Sequence, residues 1–143
     1  MRVSFTGTRD GYNDHQAAGL RKWLREHRNR IVVAAHGCCS GADIQFHHLI
    51  REICGKSVFI AVYPSTAKTA APIPEDADYV ADRLPPLERN PLIIRTGPDV
   101  LLATPKEMAE VVRSGTWHAI RFANKAGVRT EIFWPEVKSD SKI

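Results

Sequence analysis

A chain of 143 residues with 43% hydrophobic and 25% charged residues can bury one core and has little length for a second. That balance excludes wholesale disorder, and no apolar run reaches the ~20 residues of a membrane-spanning helix. The net charge of +4 suits an anionic partner, and three cysteines, two of them adjacent, form no disulfide framework, so a reducing, cytoplasmic setting is expected.

Arg2 to Phe5 reads as a strand, without the basic and apolar regions of a signal peptide, and runs into the loop Thr6-Gly7-Thr8-Arg9-Asp10-Gly11. Residues 14–28 place Ala17, Leu20, Trp23 and Leu24 on one helical stripe. The basic residues Arg21, Lys22, Arg25, Arg28 and Arg30 read as its solvated face, with a nucleic-acid surface as the alternative. Ile31 to Ala35 suits a buried parallel strand. The turn His36-Gly37-Cys38-Cys39-Ser40-Gly41 then opens a helix to about Cys54, with Ile44, Leu49, Ile50 and Ile53 towards the core, and Gly55 stops it. Val58 to Val62 is the third strand.

Residues 64–86 carry five prolines and break this rhythm, as a lid or binding loop does, with a short helix expected over 75–81. Leu87 to Arg95 reads as a helix in which Pro91 must lie in the first turn or cause a break. Val100 to Ala103 is the fourth strand, Lys106 to Val112 a short helix, and Thr116 to Lys125 a longer one stopped at Gly127. Val128 to Trp134 is the last strand, and the polar tail from Lys138 is expected to fray. The reading is one domain over residues 1–137 with a flexible tail at 138–143. Its class is α/β and Rossmann-like, with a mainly parallel sheet of about five strands flanked by helices on both faces. Such sheets bind ligands outside the carboxyl ends of their strands, so loops 6–11, 36–43 and 104–116 are expected to line one site.

Four groups of residues carry chemistry. Ser114, Gly115 and Thr116 precede a helix, where free N–H groups and the positive dipole end hold anions; simple capping also explains them. Gly37, Ser40, Gly41 and Asp43 form a second glycine turn, and the four-residue spacing lets Asp43 meet His47. Gly7, Thr8 and Arg9 follow the first strand, and Glu88, Arg89 and Asn90 sit among prolines. His36, Cys38, Cys39, His47 and His48 cluster, but without a metal-ligand spacing, so neither metal nor cofactor is expected. Cys38, at a helix start, is expected to have a lowered thiol pKa.

Taken in order, these segments resemble the SLOG superfamily, which includes Lonely-guy-type phosphoribohydrolases and the DNA-processing protein DprA. Phe5-Thr6-Gly7-Thr8-Arg9 is similar to the opening strand and loop of DprA-like members, and Ser40-Gly41-Ala42-Asp43-Ile44-Gln45-Phe46-His47 to their Gly-Ile-Asp-x-x-Ala-His segment. Arg89-Asn90-Pro91-Leu92-Ile93-Ile94 resembles an Arg-Asn-Arg-x-Ile stretch, and Asp99 to Ala103 with Ser114-Gly115-Thr116 follows the family's last nucleotide-binding strand and loop. The resemblance implies a nucleotide pocket in which Ser114, Gly115 and Thr116 hold phosphate, Arg89 neutralises it, and loops 6–9 and 37–43 enclose ribose and base. It also implies a homodimer through helices beside the site; Trp23 and Trp117 suit either such an interface or the core.

The phosphoribohydrolases carry a glutamate shortly after their Gly-Thr, in a stretch where this chain has His118 and no carboxylate, and Val112 and Arg113 replace their upstream glycines. The reading is therefore a ligand-binding or sensor protein for a nucleotide or nucleoside phosphate. One alternative is an N-glycosidase on nucleoside monophosphates, with Glu88, Asp43 or His118 activating water and Arg89 orienting phosphate. The other is DprA-like single-stranded DNA binding, which the modest 8% aromatic content disfavours.

Overall fold

A computed structural model describes residues 1–137; the tail expected to fray lies outside the described residues. Six strands form one parallel sheet: β1 (Arg2–Gly7), β2 (Val33–His36), β3 (Phe59–Val62), β4 (Tyr79–Val80), β5 (Val100–Thr104) and β6 (Arg129–Ile132), in the spatial order β4-β3-β2-β1-β5-β6. Four helices accompany them, α1 (Asp14–His27), α2 (Ala42–Cys54), α3 (Pro86–Arg95) and α4 (Gly115–Lys125), giving a Rossmann-like α/β fold.

The chain steps outward from β1 through β2 and β3 to β4, then returns and steps outward the other way through β5 to β6. Crossovers of one hand place the helices of the two halves on opposite faces. Alternation along the strands shows this division. Val3, Phe5, Val100 and Leu102 join one core with Leu20, Trp23 and Leu24 of α1 and Phe46, Leu49 and Ile50 of α2. Leu101 and Ala103 point the other way, towards Ile94 of α3 and Trp117 and Ile120 of α4. Both expected tryptophans thus lie in cores of this chain. Ile44 and Ile53 are partly buried against the first core, where Phe5 and Phe46 stack with centroids 4.4 Å apart.

The ends of the elements show where local pattern yields to tertiary contact. The expected helix over 75–81 is replaced by β4, because the open edge of β3 pairs with that segment: Asp78 N–H donates to Ile60 O and Ala81 N–H to Val62 O, both at 2.9 Å. The sheet therefore has six strands rather than about five. The expected helix over 106–112 is also absent. Arg121 of α4 donates to the carbonyls of Val111 and Val112, and Trp117 Nε1 donates to the Glu107 carboxylate, so side chains of α4 tie that segment down. α3 neither begins at Pro91 nor breaks there. Its sixth residue is Pro91, and the acceptor left idle is Leu87 O, in a first turn where Leu87 is 72% exposed.

Among the described residues, fully buried side-chain polar atoms are paired with one exception. Ser4 Oγ donates to Ile93 O at 2.7 Å, fixing α3 across β1. Gln16 closes the capping box of α1 with Asn13 and donates to Pro105 O and Phe133 O, anchoring the loop that leaves β5. Thr104 Oγ1, fully buried beneath Gly7, has no partner among the described residues. Thr104→Val removes that hydroxyl at constant shape, so it should raise stability by about 1 kcal/mol, read as a later urea midpoint at unchanged m-value. A loss of stability would show that the hydroxyl is satisfied in solution.

Candidate functional site

A cleft of about 450 Å³ opens where the strand order reverses, at the carboxyl ends of β1 and β5. One wall is the loop after β1. Thr8 N–H donates to Thr104 O, and Thr8 O accepts from Gly11 and Ala42, so this loop is tied to β5 and to the start of α2. Asp10 and Lys106 form a 2.8 Å ion pair that joins it to the loop after β5. Gly41, at φ +90°, lies so close beneath Arg9 that a Cβ there would collide with the Arg9 carbonyl.

The second wall is the start of α4. Ser114 Oγ accepts from Trp117 N–H at 3.3 Å and Ser114 O from His118 N–H at 2.8 Å. Gly115 and Thr116, the first two helical residues, line the cleft, and helix geometry leaves their N–H groups without an acceptor inside α4. Arg9, Lys106 and Arg113 line the same cleft and add positive charge to the helix dipole. Nothing lies within 4 Å of the position a Cβ would take on Gly115, so this end is open to a ligand.

The third wall is deeper. Arg89 of α3 is 5% exposed and lines the cleft, but most of its donors are committed to the protein. Nη1 donates to Gly37 O and to Tyr63 O, Nε to Asn90 Oδ1 at 2.9 Å, and Nη2 meets Cys39 Sγ at 3.3 Å. One of its five N–H groups is left over for a ligand. Beside it, Asp43 is buried at the first turn of α2, with Oδ2 accepting from Cys39 N–H at 3.0 Å. Burial pushes its carboxyl up to about 6, against the opposing pull of backbone N–H groups and Arg89. Burial likewise raises both neighbouring thiols, Cys38 to about 11, which overturns the expected low pKa; Cys38 begins no helix and instead sits at φ 56° in the turn.

Of the residues singled out in the sequence, Gly7, Thr8, Arg9, Asp43, Arg89, Asn90, Ser114, Gly115 and Thr116 line this cleft. Five do not. Gly37 and Gly41 admit Arg89 and the Arg9 backbone rather than a ligand. Ser40 is exposed and gives its N–H to Thr69 O, and Glu88 is exposed on α3. His118 is turned to Asn90, whose Nδ2 donates to its Nδ1 at 3.3 Å. Asp43 and His47 share a helix but take different partners, since His47 bonds His36 and Asp76. Thr6, Cys39, Lys106 and Arg113 also line the cleft, from loops the sequence placed at the site without singling these out as site residues, and Ser65 and Thr69 join them from the 64–86 segment. The proline-rich break at 64–86 was the signal for Ser65 and Thr69, and the place of Lys106 and Arg113 in the 104–116 loop was theirs.

Comparison of the chain with known protein families, with curated proteins and with solved structures returns no match.

Two expectations follow from these walls. Arg89→Lys puts one ammonium where a planar fork serves three oxygen acceptors, and should cost about 2–4 kcal/mol in chemical denaturation; an unchanged midpoint would show that the fork is dispensable. Asp43, with a folded pKa above its unfolded value, contributes stability below pH ~4 that is lost as pH rises through about 6. Asp43→Asn should therefore gain on the wild type between pH 5 and 7, approaching about 3 kcal/mol for that group alone. Paired thermal melts across this range test it, and a pH-independent difference between the two proteins would contradict it.

Proposed function

We propose that this protein binds a nucleotide or nucleoside phosphate in the cleft and acts as a ligand-binding or sensor protein of SLOG type. The observation that carries this reading is the open start of α4, where Gly115 and Thr116, whose N–H groups have no acceptor within the helix, line the cleft beside Arg9, Lys106 and Arg113. A phosphate at that end leaves the deeper part of the cleft, lined by Thr6, Asn90, Asp43 and Thr69, for hydroxyl-bearing and hydrogen-bonding parts of the ligand. The motifs that resemble SLOG members supply all three walls, which supports that membership.

The buried Asp43 carboxyl favours a second reading, N-glycosidic cleavage, because a carboxyl with a pKa near 6 suits acid–base work. Against it, neither Glu88 nor His118 lines the cleft, which leaves Asp43 of the three groups expected to activate water. On α1, Arg21 pairs with Glu52 and Lys22 with Glu26, which supports a solvated face over a nucleic-acid surface.

Calorimetric titration with nucleosides and their mono- and diphosphates tests the main reading. Phosphate-bearing ligands should bind at least tenfold more tightly than the parent nucleoside. Arg113→Ala, an exposed cleft cation, should weaken them about fivefold, roughly 1 kcal/mol, without lowering the melting temperature. Equal affinity for nucleoside and nucleotide would overturn the phosphate assignment. Free base released from a monophosphate, lost in Asp43→Asn, would establish the glycosidase instead.

A further inference from the structure

Behind the cleft lies a second polar system that no part of the binding reading uses. His36, at the end of β2, and His47, on α2, are both fully buried, and His36 Nε2 lies 2.8 Å from His47 Nδ1. His47 Nε2 in turn meets Asp76 Oδ1 at 2.7 Å, on the segment between β3 and β4. At the other end Cys38 N–H donates to His36 Nδ1 at 3.0 Å.

The end groups set every proton in this chain. A backbone N–H can only donate, so His36 Nδ1 is bare and His36 carries its proton on Nε2. That proton is donated to His47 Nδ1, which leaves His47 with its own proton on Nε2, aimed at the Asp76 carboxylate. Both rings are neutral Nε2–H tautomers, and hydrogen bonds run in one direction from Cys38 to Asp76. Asp76 is held from its other side by Arg51, whose Nε meets Oδ2 at 3.1 Å.

The turn that receives this chain is the one on which the deep wall of the cleft depends. Cys38 has positive φ without being glycine. Within one residue of it, Gly37 O accepts from Arg89 and Cys39 N–H donates to Asp43. Holding Cys38 in that conformation therefore sets both charged groups. Asp76 itself does not line the cleft.

We propose that Asp76, His47 and His36 form a positioning relay that holds the 37–39 turn, so that the acceptor at Asp76 controls ligand affinity at Asp43 and Arg89 without touching the ligand. The ligand part of this statement rests on the binding function proposed above; the positioning part does not.

The test compares Asp76→Ala, Asp76→Asn and Asp78→Asn. Asp76→Asn keeps an oxygen for His47 Nε2–H, and Asp78→Asn alters the neighbouring Arg51 ion pair while leaving the relay whole. Affinity for the tightest-binding nucleoside phosphate of the titration panel should fall threefold or more in Asp76→Ala and stay within twofold in the other two. Nitrogen-15 spectra should show His36 and His47 as Nε2–H tautomers in the wild type and in Asp76→Asn, with the His47 Nε2–H signal losing its hydrogen-bond shift in Asp76→Ala. The Cys39 amide and the Asp43 carboxyl carbon should shift in Asp76→Ala only. Wild-type affinity in Asp76→Ala, or an equal loss in Asp76→Asn, would overturn the relay. Should the wild type bind no nucleoside phosphate, the binding function fails, and the His47 Nε2–H, Cys39 and Asp43 shifts alone then decide the relay. Unmoved signals would sink it.

Discussion

Arg89 reaches from α3, on one face of the sheet, to the carbonyls of Gly37 after β2 and Tyr63 after β3, and its Nη2 meets the thiol of Cys39. It thereby joins the two halves of the molecule at the edge where the cleft opens. A guanidinium is the only side chain with enough fixed donors for this task, and once it is buried each acceptor it serves would be costly to leave unpaired. The rest of the deep wall is arranged around it. Gly37 lacks a Cβ because Arg89 occupies that space, and Asn90 turns its oxygen to Nε and its amide to His118. Asp43 keeps part of its negative charge through the same cation.

This arrangement divides the cleft into two ends with different chemistry. At the α4 end, the start of a helix and three cationic side chains line the cleft together with the carboxylates of Asp10 and Glu107, the first of which pairs with Lys106. At the deep end, charge is largely internal: the Arg89 donors go to two backbone oxygens, Asn90 Oδ1 and Cys39 Sγ, and Asp43 accepts a backbone N–H. An anion therefore gains most at the α4 end, while the deep end is suited to hydroxyls and neutral donors.

Behind both ends, strain at Cys38 is held by neighbours rather than relieved by a glycine. His36, His47, Asp76 and Arg51 form one continuous path from the turn to the surface, and the 64–85 segment is fastened at its far end by Asp76 and Asp78. The segment that walls the cleft through Ser65 and Thr69 is thus linked to the same turn as the charged groups opposite it.

By itself the sequence determined the α/β class, the order of the long elements and the three loops that meet in the cleft. Apolar runs such as Val100 to Ala103 and the stripe of Leu20, Trp23 and Leu24 are set by local period, and strand-to-helix loops must gather at one edge of a parallel sheet. Tertiary structure alone decided what each polar residue does. Arg89 and Glu88 are adjacent in sequence, yet one is buried as a brace and the other lies in solvent, because an α-helix turns neighbours about 100° apart. β4 exists only because β3 offers an open edge, and residues 106–112 are not helical but end on two carbonyls, Val111 O and Val112 O, that accept from Arg121. The His36–His47–Asp76 path joins three segments that no spacing rule connects, since hydrogen bonds between distant segments are fixed only when the sheet brings them together.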